Sequence, residues 1–267
     1  MKNKKLLWAI ASVALVLSSV EIQAYEVENV QNSGTIQGQV TFSGVLPEPL
    51  RFAVKKNPEV CGQERSLIKV ETHGELLTGA VVVLEGIEKG KPFSVQSFSG
   101  NAPGEGEFRY LGGNALGLQV KTKGCNFGPF TGVLAADEPV QFENRDSIKH
   151  TLQTFVSRDF SGRILRTVHN RDIQPGVEFD PMFSSEKLKG SQVVRVICTR
   201  HDFMQNWFYV VKNPYFAFSD KEGHFQINRI PPGSYRLRVW HPILGLQEKA
   251  VEIAKGQKLV ANFTYQE

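Results

Sequence analysis

The stretch C-T-R-H-D-F-M, residues 198–204, sets Cys198, His201 and Met204 on one short segment. Its spacing, C-x2-H-x2-M, brings together a thiol, an imidazole and a thioether. Two histidines and one cysteine in a trigonal set, with a weak axial methionine, are the ligands of electron-transfer copper sites. The segment supplies only one histidine, so this prediction needs a second histidine from elsewhere in the chain.

His150 is the predicted second histidine. It closes a run in which the pattern F-x-N-x-D-x-x-x-H-T is matched by Phe142, Asn144, Asp146, His150 and Thr151. This run resembles the segment before the first histidine ligand of plastocyanin-like cupredoxins. Residues 198–204 resemble the ligand loop of amicyanin, which keeps C-T-x-H-x-F-M. The cupredoxin resemblance covers residues 116–212 and implies an all-β Greek-key sandwich with one mononuclear type 1 copper.

The resemblance implies four copper ligands, which are His150, Cys198, His201 and Met204. Amicyanin-type loops usually carry proline where Arg200 and Asp202 stand here, so this loop is expected to be less stiff. Asp202 lies beside a ligand histidine and is expected either to hydrogen-bond near the metal or simply to be solvated. Asn144 is expected to support the site from the first motif.

The three cysteines divide into a predicted pair and a predicted ligand. Cys61 and Cys125 lie in turn-like contexts without metal-ligand spacing, and export to an oxidising compartment favours pairing. We therefore predict a disulfide between them. Cys198 remains as the odd thiol, and metal ligation explains why an exported protein keeps it unpaired.

The start of the chain predicts export. Lys2, Lys4 and Lys5 precede the apolar run 6–20, so residues 1–24 have the form of a cleaved signal peptide. The run is shorter than the roughly 20 residues that span a bilayer, so no membrane span is expected in the mature chain. Removing residues 1–24 takes away three lysines and one glutamate, which leaves 28 basic and 26 acidic residues. This near balance gives no argument for a nucleic-acid or anionic-membrane partner, and none is expected. The lysine-rich start and the family resemblance predict a location in the bacterial periplasm.

The rest of the chain is predicted to be β-structure, because short alternating runs recur between turn residues without a convincing amphipathic helix. The turns and strands in 219–225 and 230–237 resemble the carboxypeptidase regulatory-like domain, a transthyretin-like β-sandwich. Its opening strands resemble 34–40 and 77–84, far upstream. We predict that residues 34–95 and 213–267 form this sandwich, with the copper domain 116–212 inserted in it or packed against it. A linear series of three units would leave 215–267 short of strands.

Two local expectations complete the prediction. The strand after the ligand loop is expected to begin at Trp207, and residues 157–189 are expected to be a long connection with a short helix or turn near 184–188. The whole mature chain resembles exported bacterial proteins of the methylamine-utilisation-like class, which combine both sandwiches.

The predicted function is single-electron transfer between periplasmic redox proteins, such as a cytochrome or a dehydrogenase, with an exposed edge of His201 as the electron exit. No nucleophile elbow, phosphate loop or paired acid–base motif indicates an enzyme. Two alternatives stay open: a protein that binds and delivers copper, and a non-redox scaffold or adhesion module with a structural metal.

Overall fold

The structure is a computed structural model that describes residues 25–99, 105–157, 160 and 166–266. The predicted signal peptide, residues 1–24, lies outside the described residues. Among the described residues, no helix has the length and apolar character needed to cross a membrane.

The described chain is almost entirely β-structure, which confirms the predicted fold class. The first twelve strands and the first helix are β1 (Glu26–Val27), β2 (Gly34–Ser43), β3 (Leu50–Ala53), α1 (Pro58–Cys61), β4 (Glu64–Leu67), β5 (Glu71–His73), β6 (Leu76–Thr78), β7 (Val81–Glu85), β8 (Lys89–Gly90), β9 (Gln96–Ser99), β10 (Glu107–Tyr110), β11 (Leu118–Thr122) and β12 (Thr131–Ala135). The remaining elements are β13 (Val140–Asn144), β14 (His150–Ser157), β15 (Arg166–Ile173), β16 (Glu178–Phe179), α2 (Ser185–Leu188), β17 (Val193–Cys198), β18 (His201–Val211), β19 (Phe216–Phe218), β20 (His224–Ile230), β21 (Gly233–His241), β22 (Gly245–Ile253), β23 (Lys258–Val260) and β24 (Phe263–Gln266).

Two five-stranded sheets form the first sandwich. Sheet 1 has the strand order β16-β13-β11-β10-β9, and sheet 2 has the order β12-β18-β17-β14-β15. Each sheet mixes antiparallel pairs with one parallel pair, β11 with β13 and β12 with β18. The inner faces meet through Phe108 and Phe208, whose ring centroids are 5.0 Å apart. Strands β9 and β10 of sheet 1 lie before residue 116, where the predicted copper domain starts, and they belong to this sandwich.

Strands from both ends of the chain form a second pair of sheets. Sheet 3 has the order β19-β7-β21-β22, and sheet 4 joins β20, β2, β6 and β5, with β23 and β24 also paired to β2. On β7, Val82 and Leu84 pack into the core between these two sheets. Val81 and Val83 point the other way, into the core that contains the first sandwich. Burial on both faces explains why this strand is apolar without alternation.

Sheet 3 packs directly against the first sandwich. Tyr209 of β18 and Trp240 of β21 make an edge contact with ring centroids 5.7 Å apart. The Tyr209 hydroxyl also donates to Glu85 at 2.9 Å, and Arg238 donates to the same carboxylate at 2.8 Å. The outer face of sheet 2 is therefore covered at Tyr209 of β18. The division of the chain into the predicted domains stays a prediction.

Three local features differ from the sequence expectations or refine them. β18 begins at His201, six residues before the predicted Trp207, because residues 201–206 continue the strand through a bulge opposite β17. The expected irregular connection 157–189 contains the eight-residue strand β15. The short helix expected near 184–188 is present as α2, and the Ser184 hydroxyl accepts from the Lys187 amide at its N-terminus.

Candidate metal centre

Two hydrogen-bonded strands and a tight hairpin bring three predicted ligands together. In sheet 2, β14 pairs antiparallel with β17, and Leu152 lies opposite Cys198. His150 begins β14, so it lies next to the end of β17. Cys198 and His201 are themselves a β-pair that closes the two-residue turn between β17 and β18. Strand pairing therefore fixes all three side chains at one end of the three inner strands of sheet 2.

The three candidate ligand atoms form a compact triangle. Nδ1 of His150 lies 3.2 Å from Nδ1 of His201, and Sγ of Cys198 lies 3.7 Å and 3.6 Å from these two nitrogens. A point equidistant from three atoms with these separations lies about 2.0 Å from each, close to the metal–nitrogen and metal–sulfur distances of about 2.0 to 2.3 Å found for a borderline metal. The donor set and its spacing therefore fit a trigonal metal ion.

The surroundings of Cys198 favour the thiolate that a metal requires. The residue is 1% exposed, and burial alone would raise the pKa of its thiol. Hydrogen bonds from His150 and His201, and from the backbone amides of Thr151 and Arg200, outweigh burial and lower the pKa to about 6. Since a metal-bound cysteine is a thiolate, the fold prepares this residue for ligation.

Asp146 orients His150, and the sequence prediction gave it no such role. Nε2–H of His150 donates to a carboxylate oxygen of Asp146 at 2.8 Å, which leaves Nδ1 to face Cys198. Burial lowers the pKa of His150, but the Asp146 bond and the nearby Cys198 raise it to about 9. Burial would raise the pKa of Asp146, but the hydrogen bond and charge of His150, together with the amide bonds from Cys125 and Gly124, outweigh burial and lower it. Such carboxylate–histidine pairs fix the ring and strengthen the ligand.

Backbone amides hold the Asp146 carboxylate in turn. It accepts from the amides of Gly124 at 2.7 Å and Cys125 at 3.1 Å. The signal in the sequence was the pattern D-x-x-x-H before β14, but its meaning depends on a loop conformation that the pattern does not specify.

Asn144 holds the loop between β13 and His150. Its side-chain NH2 donates to the carbonyls of Ile148 and Ile173 at 2.8 Å and 2.9 Å, and its carbonyl accepts from the amide of Asp146 at 3.0 Å. The amide side chain is fully buried and satisfied on both sides. It therefore supports the histidine through the loop and not through direct contact.

Met204 and Asp202 both lie on the bulged part of β18 next to His201, and they differ in burial. Met204 is 2% exposed and belongs to the core of the first sandwich, on the bulged part of the strand. Its role as the axial ligand stays a prediction. Asp202 is exposed, which favours the alternative in which its carboxylate is solvated. Its role near the metal also stays a prediction.

The edge of His201 is buried, contrary to the expectation of an exposed electron exit. The residue is only 2% exposed. Residues 50–67, which comprise β3, α1 and β4 and which we call the cap, lie over the ligand turn. Phe52 of the cap makes an edge contact with Phe203 at 6.0 Å, and the guanidinium of Arg65 lies 5.5 Å from the centre of the same ring. The sequence prediction did not include this cover.

The predicted disulfide between Cys61 and Cys125 is present, and it links the cap to the loop that supports Asp146. Cys61 at the end of α1 is bonded to Cys125, with Cα atoms 5.3 Å apart, and Cys198 is the free cysteine. Cys125 also lies close to Asp146 and His150. These three do not form a second metal site, because a disulfide sulfur is not a thiolate.

Comparisons with known proteins are limited to part of the chain. The chain matches no protein-family model and no curated protein. Among solved structures, it is similar to a reduced amicyanin mutant with 14% identity over 35% of this chain and 80% of that chain, at a TM-score of 0.27. A second reduced amicyanin mutant has 13% identity over 44% of this chain and 97% of that chain, at 0.28. A purple cupredoxin from Nitrosopumilus maritimus has 21% identity over 31% of this chain and 79% of that chain, at 0.25. Because these TM-scores are low, we rest the proposal below on the chain's own ligand geometry.

Proposed function

We propose that this chain is a type 1 copper protein that transfers single electrons between exported redox partners. The observation that carries the proposal is the buried triangle of His150, Cys198 and His201, whose donor atoms lie 3.2 to 3.7 Å apart. Two imidazoles and one thiolate in this arrangement are the copper-binding set of electron-transfer sites. Copper, when bound, would alternate between its cuprous and cupric forms and so supply a one-electron carrier.

The chain's own residues supply the rigidity that fast electron transfer needs. His150 is fixed by Asp146, and Cys198 and His201 are held by the β17–β18 hairpin. All three are at most 2% exposed, so water has little access to them. This burial also argues against the copper-delivery alternative, since metal exchange requires that ligands become accessible. Met204 is proposed as the weak axial ligand.

The proposed setting is the periplasm. The disulfide Cys61–Cys125 fits an oxidising compartment, and the predicted signal peptide would direct export. A cytochrome or a dehydrogenase is the proposed class of partner. Within this proposal the second pair of sheets, whose likeness to a regulatory-like sandwich stays a prediction, serves as a rigid support.

The test is spectroscopic. Residues 25–267 are loaded with cupric ion, and we expect an intense visible band from thiolate-to-copper charge transfer and a reversible one-electron wave in voltammetry. The matched variant Cys198→Ser keeps the size of the side chain and removes the thiolate, so the band should vanish. A copper-saturated wild-type protein that stays colourless would reject the electron-transfer proposal. A coloured protein whose copper cannot be cycled would favour a structural metal instead.

A further inference from the structure

A small cleft separates the cap from the turn that carries the ligands. Its volume is about 190 Å³, which exceeds the roughly 30 Å³ of one water several times over. The cap lines it with Phe52, Lys55 and Lys56, and the turn lines it with Arg200, His201 and Asp202. The cleft therefore has room for a short side chain and lies one imidazole ring away from the ligand triangle.

Two buried N–H groups on the turn have no partner. Among the described residues, Nε of Arg200 and Nε2 of His201 are buried without a hydrogen bond. Since Nδ1 of His201 faces His150 and Cys198, Nε2 lies on the opposite side of the ring, which is the side away from the triangle. Buried donors are normally satisfied, so these two N–H groups, both on residues that line the cleft, are available to an acceptor that enters it.

The charge of the lining indicates what kind of acceptor fits. Lys55, Lys56 and Arg200 bring three positive charges, and Asp202 brings one negative charge at the exposed rim. Asp172, at the end of β15, interacts with Arg200, but its carboxylate is already paired with Lys149 at 2.8 Å. The lining thus keeps a net positive charge, and charged N–H donors bind carboxylates more strongly than neutral acceptors.

We propose that this cleft binds a carboxylate, the side chain of an aspartate or glutamate on the protein that exchanges electrons with this chain. Arg200 and His201 donate to it from the turn, and Lys55 and Lys56 attract it at the rim. Binding of this carboxylate would hold the partner protein next to the imidazole of His201, which the cap otherwise covers. The inference rests on the proposed function, because it assigns the partner-binding surface of the same site.

The experiment uses NMR on the ¹⁵N-labelled, cuprous form of residues 25–267, following the side-chain N–H signals of Arg200 and His201. Three probes are added separately: acetate, a hexaglutamate peptide and a hexaglutamine peptide of equal length. We expect acetate and hexaglutamate to shift both signals, hexaglutamate to bind more tightly because it also meets the rim lysines, and hexaglutamine to leave both signals unmoved.

Charge variants locate the binding. The double variant Lys55→Gln, Lys56→Gln should weaken hexaglutamate about fivefold, since two exposed ion pairs contribute about 0.5 kcal/mol each. The matched control, Lys255→Gln with Lys258→Gln, removes the same charge from two exposed positions of the second pair of sheets, in the β22–β23 turn and at the start of β23, and should leave the affinity unchanged. Arg200→Gln removes one of the two orphan donors and should weaken acetate as well as hexaglutamate.

Four outcomes would overturn the inference: no shift with acetate or hexaglutamate, shifts with acetate alone, equal shifts with hexaglutamine, or equal weakening by the two double variants. The visible band of the cupric form is recorded for each variant as a check of the folded site. Absence of that band in the wild type would be a failure of the proposed function. A normal band without carboxylate binding would be a failure of this inference alone.

Discussion

Replacing Asp146 tests whether the metal site depends on the carboxylate behind His150. Asp146→Ala removes the acceptor of three hydrogen bonds, from Gly124, Cys125 and His150, at 2.7 to 3.1 Å. Two of these donors, the Cys125 amide and the His150 ring, are buried, and an unsatisfied buried donor costs about 1 to 3 kcal/mol. We therefore expect the free energy of unfolding of the metal-free protein to fall by about 3 kcal/mol.

The same substitution should weaken copper binding. Loss of the carboxylate that orients a ligand histidine typically lowers metal affinity about 10- to 100-fold, or about 1.4 to 2.8 kcal/mol. Asp146→Asn keeps one of the two acceptor oxygens and no charge, so its loss of copper affinity should be smaller than that of Asp146→Ala. Asp202→Ala is the control, because this carboxylate also neighbours a ligand histidine but is exposed. Its effect on affinity should be less than twofold.

Urea unfolding measures the stability change, and competition with a chelator of known affinity measures the copper affinity. An Asp146→Ala protein that binds copper within twofold of the wild type would refute the orienting role. A loss of equal size in Asp202→Ala would show that general electrostatics, and not the contact with His150, controls the affinity.

Three further predictions follow from other parts of the molecule. Met204→Leu should keep the visible band but raise the reduction potential, because an axial donor stabilises the cupric form more than the cuprous form. An unchanged potential in voltammetry would argue against axial ligation. Cys61→Ala with Cys125→Ala should lower the unfolding free energy by about 4 kcal/mol in urea, because the bond closes a loop across a separation of 64 residues; a loss below 1 kcal/mol would contradict the loop-closure account. Burial lowers the pKa of His241 to about 3, so below its ordinary pKa of 6.5 the unfolded chain takes up a proton that the folded chain does not. Stability should therefore fall by about 2 kcal/mol between pH 6.5 and 4.5 relative to His241→Gln, and parallel stability curves for the two proteins would disprove this.

His241 has a structural role in its buried position. Its Nδ1 accepts from the amides of Ile243 and Leu244 at 3.3 Å and 3.4 Å, in the turn between β21 and β22. Protonation would place a hydrogen on the atom that already faces two donors. The ring is thus a structural acceptor, and burial keeps it in the neutral form that this role requires.

The ligand triangle could be predicted because its chemistry is concentrated in two short segments. Cys198 and His201 are three residues apart, and no other thiol was left once Cys61 and Cys125 were paired. The strands could be predicted where one or both faces are apolar, as in 81–84. In both cases the information lies within a few neighbouring residues.

The strand β15 and the cap could not be predicted, because their structure comes from distant partners. β15 reads R-T-V-H-N-R-D-I and is largely exposed, so it shows no apolar alternation. It is a strand because it pairs along β14, from His150 opposite Ile173 to Val156 opposite Arg166. The cap strands β3 and β4 are only four residues each and pair with one another at the surface. Tertiary pairing overrides weak local preference in both.

The disulfide couples the support of one ligand to the cover of another. Cys125 donates its amide to Asp146, which holds His150, while its sulfur is bonded to Cys61 at the end of α1 in the cap. The cap in turn contacts Phe203 and covers His201. Loss of this disulfide should therefore affect both histidines. It should weaken the hold of Asp146 on His150, and it should expose His201 by releasing the cap. The support of His150 and the burial of His201 therefore both depend on the Cys61–Cys125 bond, in addition to the ligand loop itself.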